Sequence, residues 1–340
     1  MIMENSYYLL SKQRIEIERF HICTWDTIDG TTFVEFGIEI EQTDKLNSEI
    51  DIYLILPFIN NKCTITSLHK ELSDEANCRF VFNDIVKNKK PIDGDGRNGN
   101  IIEFENRKEL AILPNKSSIE QDRKNIKITI KKNPDYEGPI YTRILIRTNY
   151  DTLATKKNGI TKNTYIYDVK VNETRNLLDE VFLLKKQENL NFCKINNLFC
   201  LHSIPDNYEI SFIDSQKLKN IRKLEFSAFQ KYLPCIKSLK EDKYIITFNK
   251  DSRKDSYSFF SCFTEETIGS KQILLAIGAN IFCSLLFAVS SFRLMKVPGI
   301  AWYKQIPCEY WIALVVVIFF AFGLLISIKK IGHIFRWFKK

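Results

Sequence analysis

Histidine is scarce in this chain, with four in 340 residues, and the nine cysteines never form a C-x-x-C pair. These two shortages exclude the usual zinc frameworks and leave few general bases for catalysis. Cys193, Cys200 and His202 come nearest to a metal cluster. Their C-x6-C-x-H spacing matches no zinc pattern, and "INNLFCLH" reads as a half-buried strand. G-x-S-x-G, H-E-x-x-H and the phosphate-loop sequence ending in G-K-S/T are all missing. The sequence therefore assigns no catalytic, cofactor-binding or metal-ligating residue. The N-terminus, "MIMENSYYLLSKQRIEIE", lacks an apolar core of signal-peptide length, which together with unpaired cysteines predicts a reducing cytosol.

One motif match needs care. Gly94, Gly96 and Gly99 in "PIDGDGRNGNII" spell G-x-G-x-x-G. A dinucleotide-binding loop must follow a strand directly and open a helix. Here "KNKKPID" separates the loop from the expected strand "CRFVFNDIV", and "NIIEFE" after it alternates as another strand. As a calcium loop it also fails, with Arg97 at position five and Phe104 at position twelve. The stretch reads as a mobile hairpin tip, open to a partner.

Charge is distributed unevenly. Of 49 Lys and Arg and 41 Asp and Glu, nine basic residues and one acid lie from Lys271 onward, so the preceding part is neutral overall. A nucleic-acid-binding domain usually carries a basic excess, which is absent there. The C-terminal part instead holds two uncharged apolar runs, "ILLAIGANIFCSLLFAVSSF" (273–292) and "YWIALVVVIFFAFGLLISI" (310–328). About 20 residues at 1.5 Å rise match a hydrocarbon core of about 30 Å, which predicts a two-helix transmembrane hairpin over 271–330. Trp302, Tyr303, Tyr310 and Trp311 fit an aromatic belt, and the basic tail predicts both termini on the cytoplasmic side of an inner or plasma membrane. Within the first run, Ala276, Asn280, Ser284 and Ala288 form a small, polar stripe for helix packing or a polar pathway. In the tail, 331–340, Ile331, Ile334, Phe335 and Phe338 share one helical face, the pattern of an amphipathic interfacial helix.

The N-terminal part predicts a mainly β, sandwich-like cytoplasmic domain with a few helices. In "TTFVEFGIEIEQ", Val34, Phe36, Ile38 and Ile40 alternate with Glu35, Glu39 and Glu41, a strand with one buried and one wet face. "NIKITIKKN", "YTRILIRTNY" and "TYIYDVKVNE" are further strands. "DIYLILPFI" is apolar on both faces, as in a central strand ended by Pro57. "YIITFNK" and "SYSFFSCF" predict a hairpin. Helices are expected in "TSLHKELSDEA", in "NLLDEVFLLKKQ" with Leu177, Leu178, Val181 and Leu184 as its stripe, and in "SQKLKNIRKLEFSAFQKYL". In the last, Lys217, Lys219, Arg222 and Lys223 would face solvent, a membrane or a nucleic acid. The expected division is 1–171 as the β-rich domain and 172–270 as a mixed α/β part.

The layout of a signal-less domain followed by "ILLAIGANIFCSLLF" and "YWIALVVVIFF" resembles small two-transmembrane effectors of prokaryotic antiviral defence, of the retron or cyclic-nucleotide type. The resemblance implies a cytoplasmic domain that senses a ligand or partner and rearranges membrane helices in a homo-oligomer to perturb the lipid bilayer. It also implies a protein, nucleotide-messenger or ribonucleoprotein partner, and it transfers no residue roles. A membrane-tethered scaffold and a membrane-held enzyme are the alternatives.

Overall fold

The alternating segments assemble into two stacked β-sheets. The computed structural model describes residues 6–27, 31–41, 47–60, 62–120, 125–134, 136–149, 153–159, 161–175, 177–213, 218–236, 243–251, 256–267 and 269–294, with 299, 301, 311, 314 and 315. In chain order the strands are β1 (Ser6–Ser11), β2 (Glu16–Asp26), β3 (Thr31–Ile40), β4 (Glu49–Ile55), β5 (Thr64–Ser67), β6 (Val86–Pro91), β7 (Asn100–Phe104), β8 (Leu110–Ile112), β9 (Asn115–Glu120), β10 (Asn125–Lys131), β11 (Ile140–Asn149), β12 (Thr155–Asn158), β13 (Lys162–Val171), β14 (Asn191–Phe192), β15 (Lys194–Pro205), β16 (Tyr208–Ile213), β17 (Leu218–Lys223), β18 (Lys243–Asp251) and β19 (Tyr257–Glu266). The helices are α1 (Glu75–Phe82), α2 (Asp179–Gln187), α3 (Phe226–Tyr232) and α4 (Ser270–Leu294).

One sheet runs β16-β19-β13-β1-β4-β10-β9, with β12 on β13 and β14 on β1. The other runs β17-β18-β15-β2-β3-β11-β8-β7-β6, with β5 on β11. Most pairs are antiparallel, but β1–β13, β2–β15 and β11–β8 are parallel. Between the sheets lies the main core. Ile52, Leu54, Ile126, Ile128 and Ile130 from one sheet meet Phe20, Ile22, Phe36, Ile38 and Ile144 from the other. Burial of such side chains stabilises by roughly 1.5–3 kcal/mol each. The β-sandwich expectation thus holds, and β4 is a central strand as its two apolar faces predict.

Each outer face also carries a layer. The β1–β4 side packs Tyr8, Leu10, Tyr53 and Ile55 against Val181 and Leu184 of α2, with Leu177 and Leu178 beside them. This is the stripe read from "NLLDEVFLLKKQ". On the other sheet, Cys23, Trp25, Phe33, Tyr141 and Leu145 are covered by Phe80 and Phe82 of α1 and by Phe229 and Tyr232 of α3.

Several expectations are corrected. "CRFVF" is the body of α1, not a strand. Asp74 caps it, its side chain accepting from the amides of Ala76 and Asn77, which satisfies donors that a helix start leaves open. The expected long helix at 215–233 splits: Leu218–Lys223 is strand β17, paired with β18, and the helix begins only at Phe226. β18 and β19 form no hairpin, because each joins a different sheet. The G-x-G-x-x-G stretch is the tip between β6 and β7, as its context predicted. Asp93, Gly94, Gly96 and Gly99 there adopt positive φ.

The membrane expectations are corrected as well. The chain divides into two compact units, Met1–Gly159 with Asn163–Glu265, and Ile160–Lys162 with Glu266–Lys340. Among the described residues no helix is long and apolar enough to cross a membrane, so the expected two-helix transmembrane hairpin, and with it the integral-membrane location and the placement of the termini, is not shown. The described side chains of α4 run from Gln272 to Ser284. The run 310–328 lies outside the described residues apart from Trp311, Leu314 and Val315, and the tail with Ile331, Ile334, Phe335 and Phe338 lies wholly outside them.

Candidate functional site

The outer face of β2, β3, β11 and β15 carries an unusual set of side chains for a sheet surface. Backbone register places them in rows. One row is Phe199, His21, Gly37 and Arg143; the next is Leu201, Cys23, Glu35 and Leu145; on the other side stand Asn197, Arg19, Glu39 and Tyr141. Gly37 leaves a gap in the first row. Tyr141 leans into that gap from β11, so that a Cβ on Gly37 would come within 2.9 Å of its ring carbon Cζ. From there the Tyr141 hydroxyl reaches His21 Nδ1 at 3.2 Å and accepts from Arg143 Nη1 at 2.9 Å.

Glu35 is the centre of this layer and is fully buried. Its carboxylate accepts from Trp25 Nε1, from Arg143 Nε at 2.5 Å and from the Tyr232 hydroxyl at 2.7 Å. Arg143 Nη2 also lies 3.1 Å from Cys23 Sγ. A buried charge must be paired and hydrogen-bonded to persist, and here the network supplies both. Burial alone would pull the Arg143 guanidinium down, but Glu35, helped by Tyr141, Tyr232 and Cys23, holds it well above its usual value. Burial pushes the Cys23 thiol up to about 12, so it is not a nucleophile. Nearby, Arg107 grips both oxygens of Glu39 at 2.9 and 2.8 Å and stacks over Phe82 and Phe104.

Above this layer opens a cleft of about 290 Å³. Its floor is Arg19, His21, Cys23 and Trp25 of β2 with Phe199 and Leu201 of β15; α1 supplies Phe80 and Phe82, and β17 supplies Lys219, Asn220 and Arg222. Among the described residues, five cations line it and no carboxylate does. Arg143 is neutralised by Glu35, and Arg107 by Glu39. Among the described residues, no carboxylate pairs with Arg19, Lys219 or Arg222. Lys219 rests instead over the Phe199 ring, 5.1 Å from its centroid. Burial, then the charges of Arg143, Arg19 and Arg107, hold the His21 imidazole well below its usual value, so it is neutral. In the tautomer in which the Tyr141 hydroxyl donates to His21 Nδ1, the imidazole proton sits on Nε2.

A shallower depression of about 280 Å³ adjoins the cleft between α1 and α3, sharing Phe80, Asn83 and Arg222 with it and adding Arg79 and Glu225.

The residues singled out from the sequence lie elsewhere. Ala276, Asn280 and Ser284 stand on α4, where Ser284 Oγ donates to the Asn280 carbonyl at 2.9 Å. That hydroxyl is thereby satisfied within its own helix. Ala288 belongs to the same helix, and its side chain is outside the described residues. Cys193, Cys200 and His202 are buried, and only Cys200 and His202 approach each other, with Sγ 3.5 Å from Nε2. The sequence did mark Lys219 and Arg222 as part of one basic face, although on a helix. It gave no sign of His21, Gly37 or Arg143, whose meeting depends on strand pairing between β2, β3 and β11.

No family model matches this chain, and no curated protein matches it. Among solved structures, one likeness is to a "Homology model of the full-length AP-3 complex in a stretched open conformation", at 9% identity and a TM-score of 0.21. The match covers 79% of this chain and 54% of that one, so this chain spans about half of the protein it matches. At that score it carries no argument.

Proposed function

We propose that the β-sandwich unit is the sensor of a ligand-responsive effector, and that it binds a small anion in the cleft above β2 and β15. One observation supports this most: Arg19, Lys219 and Arg222 converge on a concave site that has aromatic walls and, among the described residues, no lining carboxylate. Uncompensated cations held together repel one another. An anionic ligand relieves that repulsion and forms charge-assisted hydrogen bonds. Neutral His21 fits the same role, since its Nε2 proton is a donor in a site already rich in positive charge. Tyr232 couples the cleft to α3, because its hydroxyl is held by Glu35 beneath the floor.

The test is calorimetric titration of the chain with tripolyphosphate at low and moderate salt. Binding is expected, weakening as salt rises. Arg222→Ala is expected to weaken it by about tenfold or more, the loss of one charge-assisted contact. If tripolyphosphate and simple phosphate leave both heat and melting temperature unchanged, the sensing assignment fails.

A further inference from the structure

Resting on that anion-sensing reading, we infer that the cleft takes a nucleoside polyphosphate, with its base on the β2–β15 floor and its phosphates running over Arg222 toward Arg79. The two concavities are not independent, because Phe80, Asn83 and Arg222 wall both. Each is near 300 Å³, the lower end of small-ligand sites. Their chemistry differs. The floor of the first is aromatic: the Phe199 and His21 rings lie 5.2 Å apart on paired strands, and Phe82 of α1 lies over the same sheet, packed edge-on to Tyr141 at 4.9 Å. Among the described residues the second has Arg79 and Arg222, one aromatic ring, Phe80, and one carboxylate, Glu225.

A bare phosphate or polyphosphate would leave the floor unused. A planar base would cover Phe199, over whose ring the Lys219 ammonium now sits, 5.1 Å from the centroid. Displaced from that ring, Lys219 stays on the strand that carries Arg222, where a phosphate would meet it. His21 Nε2–H supplies a hydrogen-bond donor for a ring nitrogen or carbonyl of the base. Stacking on an aromatic side chain is worth about tenfold or more in affinity.

The experiment compares adenosine, tripolyphosphate and the four common nucleoside triphosphates by calorimetry on the full chain, with Trp25 fluorescence as a second readout. At least one nucleoside triphosphate is expected to bind ten times or more tighter than tripolyphosphate. Phe199→Leu keeps an apolar side chain on the strand and is expected to erase that advantage, weakening the nucleoside triphosphate about tenfold more than tripolyphosphate. Arg79→Ala is expected to weaken the triphosphate more than the monophosphate of the same nucleoside. If tripolyphosphate binds as tightly as every nucleotide, the inference falls while the anion-sensing reading stands. If Phe199→Leu weakens both alike, the base does not lie on the floor and the inference also falls. If no anion binds, both fall together.

Discussion

Gly37 and Tyr141 fit together as a socket and a plug: the space where any other residue at 37 would carry its Cβ is filled by the Tyr141 phenol. The fit lets a side chain from β11 cross β3 and touch His21 on β2. Gly37→Ala is therefore expected to cost about 1–3 kcal/mol, the range for overpacking a well-filled site. Tyr141→Phe keeps the plug and removes only the hydroxyl, and should cost about 1 kcal/mol. Urea denaturation of the two variants checks the order, and an alanine at 37 that is as stable as the parent would sink the account.

Glu35 and Arg143 make a separate prediction. Removing one partner leaves the other charged and buried, which costs about 3–5 kcal/mol. Glu35→Gln should thus be strongly destabilising. Replacing both partners with apolar residues of similar volume, Glu35→Leu with Arg143→Met, should cost less than Glu35→Gln alone. A double mutant less stable than Glu35→Gln would show that the network contributes more than charge compensation.

Acid should weaken the fold through His202. Burial holds its imidazole down to about 4, whereas an unfolded histidine titrates at about 6.5. Above pH 6.5 both states are neutral there and the residue contributes no pH dependence. Below it the unfolded chain takes up a proton that the folded chain refuses, so stability falls until the folded value is reached. Between pH 7 and pH 5 the expected loss is on the order of 2 kcal/mol, with His21 acting in the same direction. His202→Gln should flatten that slope in melts recorded across the range.

The roof of the cleft depends on a helix cap. Asp74→Ala removes the acceptor for two amides of α1 and should cost about 1 kcal/mol. Because Phe80 and Phe82 line the cleft from this helix, amide exchange should rise across 75–82, and anion binding should weaken with it. Unchanged exchange would show that packing alone holds α1.

The glycine motif makes a contrasting prediction. Gly94 stands at the β6–β7 tip with no atom near its missing Cβ, at φ +82°. Gly94→Ala should lower stability modestly through backbone strain and leave anion or nucleotide binding unchanged. A loss of binding would return the loop to the functional site.

What the sequence determined by itself is local. Period-two alternation marked β3 and β10 with their faces and β11 and β13 as strands, and the stripe of Val181 and Leu184 marked α2, because burial on one side imposes a period that any window of ten residues displays. Turn composition against strand context was enough to read 92–99 as a hairpin tip. Apolarity alone, in contrast, suggested membrane spans that the described residues do not show. Tertiary structure decided which second faces are covered. Glu35 and Glu39 alternate like solvent-facing residues, yet α1 and α3 bury them, and Arg143 and Arg107 arrive from more than sixty residues away to neutralise them. Lys219 and Arg222 carry a helical pattern but form an edge strand, because pairing with β18 supplies the hydrogen bonds that local propensity would have placed within a helix. The row of Phe199, His21, Gly37 and Arg143 is written in four strands, of which only β2 and β3 follow one another in sequence. Only strand register, set by burial of the opposite faces in the common core, brings them together.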